Sequence, residues 1–566
     1  MDPRPWHRFY DKGVPVGVDY QQLTIPQVLD KTAAAFPDRS ATLFEGHRLT
    51  YGQLKDQSDR LATALVRLGL KAGDRVAIQL PNLPQTVVAW LGVLRAGGIA
   101  VMTNPMYVQR EVEHQFEDAN VRIVIALDAL WMKTIRPVRG NLHLDHVILT
   151  GIKHALPFPK NLLFPIVGKK SGMVVDVPAE PGVIWLNDLL AGTPAAPPPM
   201  PADMDAIANL QYTGGTTGLS KGAMLTHRNL SYNAQQALAW FPGAAHGGEV
   251  MLSALPFFHS FGLTVCMSFS LLLGAAQVLV PNPRDIKKLV GYIEKYRPTM
   301  FPAVPTLYNA VNNYPGIDKV DISSIKGCIS GSAPLPMEVL ERFEKLTGGR
   351  ITEGFGLTET SPITHANPLF GLRKPGSIGV PVSDTDARIV DLEEGRKVMG
   401  VGEEGELVLA GPQIMKGYWN KPDETADMIR DGWLYTGDIA KMDDEGYFYI
   451  VGRKKDMIIA GGYNIYPREI DDLLFEHPKV LEAAAVGIPD PHRGETVKAY
   501  IVLKPGEQAT IEEFAEYCKS RLAAYKVPKS YEFRAELPKS TVGKVLRRVL
   551  RDEEVAKLKA AKGADA

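Results

Sequence analysis

Residues 213–222 read TGGTTGLSKG, and what flanks them sets the fold class. Residues 207–212 have the apolar character of a strand that ends where this run begins. Gly214, Gly215 and Gly218 let the backbone fold tightly and bring N–H groups close to an anion. Thr213, Thr216 and Thr217 add hydroxyl donors, and Lys221 adds a cation. Thr226 is then placed to cap a helix whose apolar positions are Leu230, Ala234, Ala237 and Leu238. The spacing is not GxxxxGK[ST], so a Walker-type loop is excluded. On these residues alone, a hairpin turn and a phosphate site are equally good readings.

Helix-like and strand-like segments alternate on the N-terminal side of this run. Leu54, Leu61, Leu65 and Leu68 share a helical face, RVAIQL at 75–80 reads as a strand, 87–95 as a helix, and 121–126 as another strand. That alternation predicts an α/β architecture with a largely parallel sheet. The pattern resumes from 205 to about 449. Beyond the charged turn at 452–456 (GRKKD), helices at 467–476 and 511–522 and strands at 483–486 and 498–502 predict a small α+β domain. The terminal 551–566 stretch, rich in Lys, Glu and Ala, is expected to fray into solvent.

At 566 residues the chain exceeds one ordinary core, so at least two domains are expected. Its 63 basic and 64 acidic residues balance to a formal charge of −1, which argues against a nucleic-acid binder that relies on a large basic surface. Cys266, Cys328 and Cys518 form no CxxC pair and suggest neither disulfides nor zinc, so a reducing, cytoplasmic setting is expected. The first residues contain no apolar run of signal-peptide length. From 252 to 283 there is no Asp, Glu, Lys or Arg, but Gly274 divides the stretch. It therefore reads as a buried helix (261–273) and a buried strand (276–280) rather than a membrane span. Residues 153–170, KHALPFPKNLLFPIVGKK, are basic and apolar and form a surface excursion compatible with peripheral contact at the inner face of a membrane. Their three prolines argue against a long amphipathic helix.

The run YTGGTTGLSKG closely resembles the signature [YF]TSGTTGxPKG of the acyl- and aryl-adenylate-forming enzymes, the family of acyl-CoA synthetases, luciferases and peptide-synthetase adenylation domains. Gly214 stands where serine is common and Ser220 where proline is common. Further motifs follow in family order: LPFFHSFG (255–262), GSAP (331–334), EGFGLTE (353–359), YTGD (435–438), GRKKD, GGYNIYP (461–467) and PKSTVGK (538–544). The resemblance covers roughly residues 20–550. Within the family, NPRD (282–285), GPQIMKGYW (411–419) and YKVPK (525–529) look most like bacterial long-chain fatty-acid–CoA ligases. The resemblance implies an N-terminal AMP-binding domain over 1–452, a hinge at 453–456 and a mobile C-terminal domain over 457–566.

It also implies roles for particular residues. Lys544 resembles the catalytic lysine that bridges the fatty carboxylate and the α-phosphate of ATP, and Thr358 donates to that phosphate. Glu359 looks like the Mg²⁺ ligand, where one carboxylate suffices beside phosphate oxygens and water. Asp438 accepts from the ribose hydroxyls, Arg453 holds the nucleotide from the hinge side, and Phe355 stacks on adenine. Gly331, Ser332 and Ala333, with Glu353, Gly354 and Gly356, line the adenine and acyl sites. Lys455 occupies the hinge, and Gly461 and Gly462 let the pantetheine arm of coenzyme A pass close to the backbone. His259 either packs beside the phosphate or acyl group, orients the thiol, or is a satisfied core histidine. Phe258, Phe261, Leu263, Met267, Phe301, Val304 and Leu307 are candidates for an alkyl tunnel, with ordinary core packing the rival for each.

The implied activity is a two-step ligase using a fatty acid, ATP and coenzyme A, with Mg²⁺. Its rivals are a ligase that stops at the adenylate and loads a separate carrier protein, a luciferase-type oxygenase, and a membrane-associated fatty-acid binding protein without catalysis. The oligomeric state is left open, with a homodimer among the choices.

Overall fold

The computed structural model describes residues 4–170, 174–199, 203–213, 220–460, 463–490, 492–540 and 543–564. The chain divides into two compact units: a larger one running to Asp386 and including Ala410–Gly432, and a smaller one of Ala387–Leu409 and the residues from Trp433 onward.

The larger unit is built on a seven-stranded sheet in the order Val183–Trp185, His146–Thr150, Ile123–Leu127, Arg75–Gln79, Ile99–Met102, Ile207–Thr213, Lys221–Thr226. All neighbours are parallel except the last pair, a hairpin in which Thr213 faces Lys221. The crossover helices bury their apolar stripes: Tyr51–Arg67 through Leu54, Leu61 and Leu65, and Pro84–Arg95 along nearly its whole length. Trp90 is fully buried and donates Nε1–H to Asn209 Oδ1 at 2.9 Å, which ties a helix to the strand before the 213–222 run. Thr226 caps the next helix, His227–Ala239, accepting from the Asn229 N–H at 3.1 Å.

A second sheet pairs Val250–Ser253, Ala276–Leu279 and Ser40–Phe44 in parallel, with His47–Thr50 antiparallel at its edge. Single bridges through Met300 connect it to a third sheet, Gly327–Ser330, Arg350–Gly356, Ile363–Ala366 and Val380–Pro381. The acid- and base-free stretch is buried as expected. Its helix begins as a π-helix, Gly262–Ser268, before the α-helical Phe269–Leu273, and the strand Ala276–Leu279 follows. Among the described residues no helix is long and apolar enough to cross a membrane. The three cysteines are free and buried, and burial pushes the Cys266 and Cys328 thiols up to about 12.

In the smaller unit, Gly405–Ala410 pairs antiparallel with Trp433–Met442, which pairs in turn with Phe448–Arg453. A second sheet joins Ile458–Ala460, Gly494–Leu503, Val480–Asp490 and Ser530–Phe533, with the helices Pro467–Phe475 and Ile511–Lys519 packed on it. The expected fraying of 551–566 is corrected: a helix spans Arg547–Ala564. Leu550 is fully buried, Lys498 pairs with Glu554 at 2.9 Å, and Arg534 pairs with Glu553 at 2.6 Å. One apolar anchor and cross-element ion pairs therefore hold a segment that reads as solvated in sequence. A helix also forms over Lys160–Lys170 with Pro165 inside it; at 11 residues it stays short.

Asn82 is a fixed point of the larger unit. Its side chain donates to Ser253 O at 2.9 Å and Leu255 O at 2.8 Å, and accepts from Phe257 N–H at 3.0 Å. Asn82→Ala strands these buried groups and should destabilise the larger unit by about 3 kcal/mol. A urea titration checks this, and an unmoved midpoint contradicts it.

Candidate functional site

The larger unit brings several of the named residues onto neighbouring elements. Thr213 and Lys221 face each other at the mouth of the hairpin. Gly214, Gly215, Thr216, Thr217 and Gly218 lie between them and outside the described residues. Lys221 Nζ sits 5.3 Å over the Tyr418 ring and 3.7 Å from Glu424. Glu359 lies in the one-turn helix Thr358–Thr360, is buried, and accepts a hydrogen bond from the Tyr418 hydroxyl at 2.6 Å. Its backbone carbonyl accepts from Met415 N–H at 2.8 Å, so the 415–418 segment is held against the same turn. Burial and the adjacent Glu359 charge both raise the Tyr418 pKa, which keeps Tyr418 a neutral donor. Among the described residues no cluster of three metal-type ligands occurs.

The EGFG stretch forms the end of the strand Arg350–Gly356. A Cβ on Gly356 would lie 1.7 Å from Pro362 O, so only glycine fits beneath the Thr358–Glu359 turn. Phe355 is half-buried, with an edge-on contact to His365 at 6.0 Å between ring centroids. The Glu353 carbonyl accepts from Asn367 N–H at 2.9 Å, and Gly354 sits over Ile329. Gly331, Ser332 and Ala333 follow the strand Gly327–Ser330; Ser332 has a φ of +71° and both it and Ala333 are exposed.

The aromatic–histidine segment is fixed from two sides. Gln211, on the strand before the 213–222 run, donates to Phe258 O. His259 Nδ1 accepts from Phe261 N–H at 3.2 Å, so a neutral His259 carries its proton on Nε2. The Phe261 ring packs at the Cα of Gly331. Thr264, inside the π-helix, donates to Ser361 O at 2.6 Å and thereby joins this helix to the Glu359 turn. π-turns concentrate at functional sites.

Leu263, Met267 and Phe301 are fully buried, and Phe301 makes edge contacts with Tyr308 at 5.4 Å. Val304 and Leu307 pack in the same core cluster as Phe301. An apolar cavity of about 20 Å³ lies nearby, walled by Val265, Phe269, Met251, Met300, Ile329 and Ile363 among others. None of these stands out in sequence, because buried aliphatic residues at these spacings are also what any core requires.

In the smaller unit Asp438 and Arg453 are register partners on adjacent strands, and their side chains pair at 2.8 Å. Asp438 is 2% exposed, and its Oδ2 has no hydrogen-bond partner among the described residues. A buried carboxylate oxygen left over in this way is suited to a ligand hydroxyl. The turn before it is set by Gly437 at φ +69°, whose N–H donates to Glu406 at 3.0 Å. Lys454 pairs with the other oxygen of that glutamate at 3.2 Å.

Lys544 lies in a tight hairpin, with Ser540 N–H donating to Lys544 O at 2.8 Å and Gly543 at φ +78°. Its amine feels Arg453, Asp438, Lys455 and Asp456. Burial, then the Arg453 charge, bring its pKa down to about 8, against the opposing pull of Asp438. The hairpin continues into a buried ion pair between Arg547 and Asp471. Lys455 sits in the turn that follows Phe448–Arg453. Gly461 and Gly462 lie outside the described residues.

Sequence reasoning missed Tyr418, Gln211 and Asn82. Tyr418 was visible only as part of a matching segment, and the two amides carry no local signal.

Residues 29–419 match the AMP-binding enzyme family, and residues 469–544 match the AMP-binding enzyme C-terminal domain. The chain is 47% identical over 556 residues to a long-chain-fatty-acid–CoA ligase of Bacillus subtilis (strain 168), covering 97% of this chain and 98% of that protein. It is 42% identical over 562 residues to one of Escherichia coli O157:H7, covering 98% and 99%. Among solved structures, the anthranilate CoA ligase AuaEII in complex with anthranoyl-AMP aligns with a TM-score of 0.84 at 28% identity, covering 96% of this chain and 99% of that one. ATP-bound MatB from Rhodopseudomonas palustris aligns with a TM-score of 0.82 at 31% identity, covering 94% and 99%. With both of its parts matched and relatives of this likeness along nearly its whole length, the chain belongs to the AMP-binding enzyme family.

Proposed function

We propose that this chain is an AMP-forming acyl-CoA synthetase that joins a long-chain fatty acid to coenzyme A. The observation that carries the chemistry is the buried Asp438–Arg453 pair with one carboxylate oxygen left over, with the Lys544 amine within electrostatic reach of both. The substrate class rests on the relatives named long-chain-fatty-acid–CoA ligases, 47% and 42% identical over nearly the full length.

In the first half-reaction a carboxylate oxygen attacks the α-phosphorus, the bond to the β-phosphate oxygen breaks, and pyrophosphate leaves. Two anions must approach, so a positioned cation lowers the barrier most. Lys544 supplies it, Thr358 donates to the same phosphate, and Asp438 Oδ2 takes a ribose hydroxyl. Arg453 holds that carboxylate in place, and Phe355 offers its face to adenine. Glu359, oriented by Tyr418, is the residue that would hold Mg²⁺, which when bound neutralises phosphate charge. Lys221 and the 213–218 run grip the departing pyrophosphate.

In the second half-reaction the thiol of coenzyme A attacks the acyl carbon, the bond to the AMP oxygen breaks, and AMP leaves. Residues 453–456 are the proposed hinge, with Lys455 at its centre, between domains at 1–452 and 457–566. Gly461 and Gly462 take the place of Lys544 at the acyl group in this step. His259 presents its Nε2–H to the phosphate or acyl oxygen. The alkyl chain follows the apolar seam named from Phe258 to Leu307 and the Val265 side of the π-helix. There the unbranched side chains of Met251 and Met300 can make way for methylenes. A cytoplasmic setting fits the three buried free thiols.

The reading is tested by pyrophosphate release over fatty acids of increasing length, with and without coenzyme A. Release with long-chain acids and thioester formation once coenzyme A is added are expected. Adenylate without thioester would instead mark the carrier-loading rival. Lys544→Ala should slow acyl-AMP formation by about 100-fold or more while leaving thioester formation from supplied acyl-AMP within a few-fold. Equal losses in both halves contradict the assigned role.

A depressed Lys544 pKa has a definite sign. The amine is cationic below about 8 and loses its charge above it. Because kcat/KM reports the free enzyme, kcat/KM for adenylation should fall on the alkaline side with a midpoint near 8. A flat profile up to pH 10 would remove Lys544 from the step. Val265→Leu narrows the cavity of about 20 Å³ and should cut kcat/KM for a sixteen-carbon acid about tenfold while sparing an eight-carbon acid. Equal effects on both chain lengths would place the alkyl chain elsewhere.

A further inference from the structure

Exposed large apolar side chains are scattered singly or in pairs along most of the chain, but one short stretch carries four. Phe158, Leu162, Leu163 and Ile166 are 78%, 64%, 56% and 70% exposed. The last three lie on the helix Lys160–Lys170 within an arc of about 100°, given 3.6 residues per turn. A soluble surface does not normally hold such a cluster open to water. The helix is not stripe-like: Phe164 and Pro165, which do not share that face, are themselves apolar and half-buried. It is thus an apolar helix with one side packed and one side bare.

The ionised side chains within the stretch itself have one sign. From 146 to 175 there is no Asp or Glu, while Lys153, Lys160, Lys169 and Lys170 are present. Lys169 lies one turn beyond Ile166 on the bare face, and its partner Asp176 is 3.6 Å away in a pair exposed on both sides, which is worth little in water. At the other end Lys160 donates to Glu45 O at 2.8 Å, and the Glu45 carboxylate is itself matched by Lys160 and Lys288. The helix is therefore seated on the larger unit while its apolar face points away.

We propose that residues 158–170 are a docking element for an anionic lipid bilayer. Eleven helical residues span roughly 16 Å, too short to cross a bilayer and of a length to lie in its interface. Phe158, Leu162, Leu163 and Ile166 enter the acyl boundary, and Lys169 reaches the phosphate layer with its stem along the helix. A protein partner would have to offer an apolar surface edged with acid; a bilayer containing anionic lipid has both properties everywhere. The proposal goes beyond catalysis and stands on this surface alone.

Flotation of the full chain with vesicles tests it. The wild type should co-float with phosphatidylglycerol–phosphatidylcholine vesicles at least tenfold better than with phosphatidylcholine alone, and less well at high salt. The triple variant Leu162→Ser, Leu163→Ser, Ile166→Ser should lose at least tenfold of this binding. Its thioester formation with a soluble medium-chain acid should stay within twofold of wild type, which also establishes that it is folded. Lys169→Gln with Lys170→Gln should remove the preference for anionic vesicles. A wild type that stays at the bottom of the gradient, a triple variant that floats equally well, or a lysine variant that keeps the full preference overturns the proposal. So does a triple variant that turns a wild-type dimer into a monomer on sedimentation without any vesicle binding, since a second copy then covers the face. Failure of thioester formation in the wild type bears on the ligase reading and leaves the flotation result intact.

Discussion

A carboxylate buried opposite an arginine, with one oxygen left over, is the constraint around which the smaller unit is organised. Strand pairing sets Asp438 against Arg453, and their side chains meet at 2.8 Å. Burying a charge is costly unless it is paired and hydrogen-bonded, and the pair meets only part of that cost because Oδ2 has no partner among the described residues. In the proposed reaction a ribose hydroxyl completes the hydrogen bonding of this oxygen. The same arginine then acts on Lys544, whose amine is pushed toward neutrality by burial and by the neighbouring cation, and back toward charge by Asp438. A lysine balanced in this way gains most when anions arrive. In the proposed reaction those anions are the triphosphate and the fatty carboxylate.

The larger unit solves a different problem with backbone geometry. The 213–222 run begins at the end of the next-to-last strand of the seven-stranded sheet, and a capped helix follows the edge strand Lys221–Thr226. The Glu359 turn is locked by a glycine that no other residue could replace and by the Tyr418 hydroxyl. Thr264 ties that turn to the π-helix, so the apolar seam and the Mg²⁺-type carboxylate are mechanically joined.

Much of this was legible in sequence, for reasons that can be stated. The strand before 213 and the helix capped by Thr226 show in sequence through apolar pattern and cap residue. The run between them gains an anion role only from the family motif, because a Gly/Thr run alone serves a hairpin as well. Leu54, Leu61 and Leu65 mark their helix by period alone, and all three are buried. Glu359, Asp438 and Lys544 were nameable only because whole motifs surround them; as lone residues they would read as surface charges. What sequence hid depends on distant partners. Tyr418 reaches Glu359 across 59 positions, Asn82 reaches Ser253 across 171, and neither side has a local pattern. The C-terminal helix was misread because its polar composition conceals one buried leucine and ion pairs to strands far back in the chain. The cavity walls were hidden for another reason. Val265 and Phe269 share a face at a spacing of four, as on any buried helix, so nothing in the sequence separates a cavity wall from ordinary core packing.

The account turns on which atom the carboxylate attacks. A fatty acid carrying ¹⁸O in both carboxyl oxygens, taken through a complete turnover with ATP and coenzyme A, reports this directly. Attack at the α-phosphorus followed by thiol attack at the acyl carbon leaves one labelled oxygen in AMP and none in pyrophosphate. Label in inorganic phosphate with ADP as the nucleotide product, or AMP free of label, would contradict it.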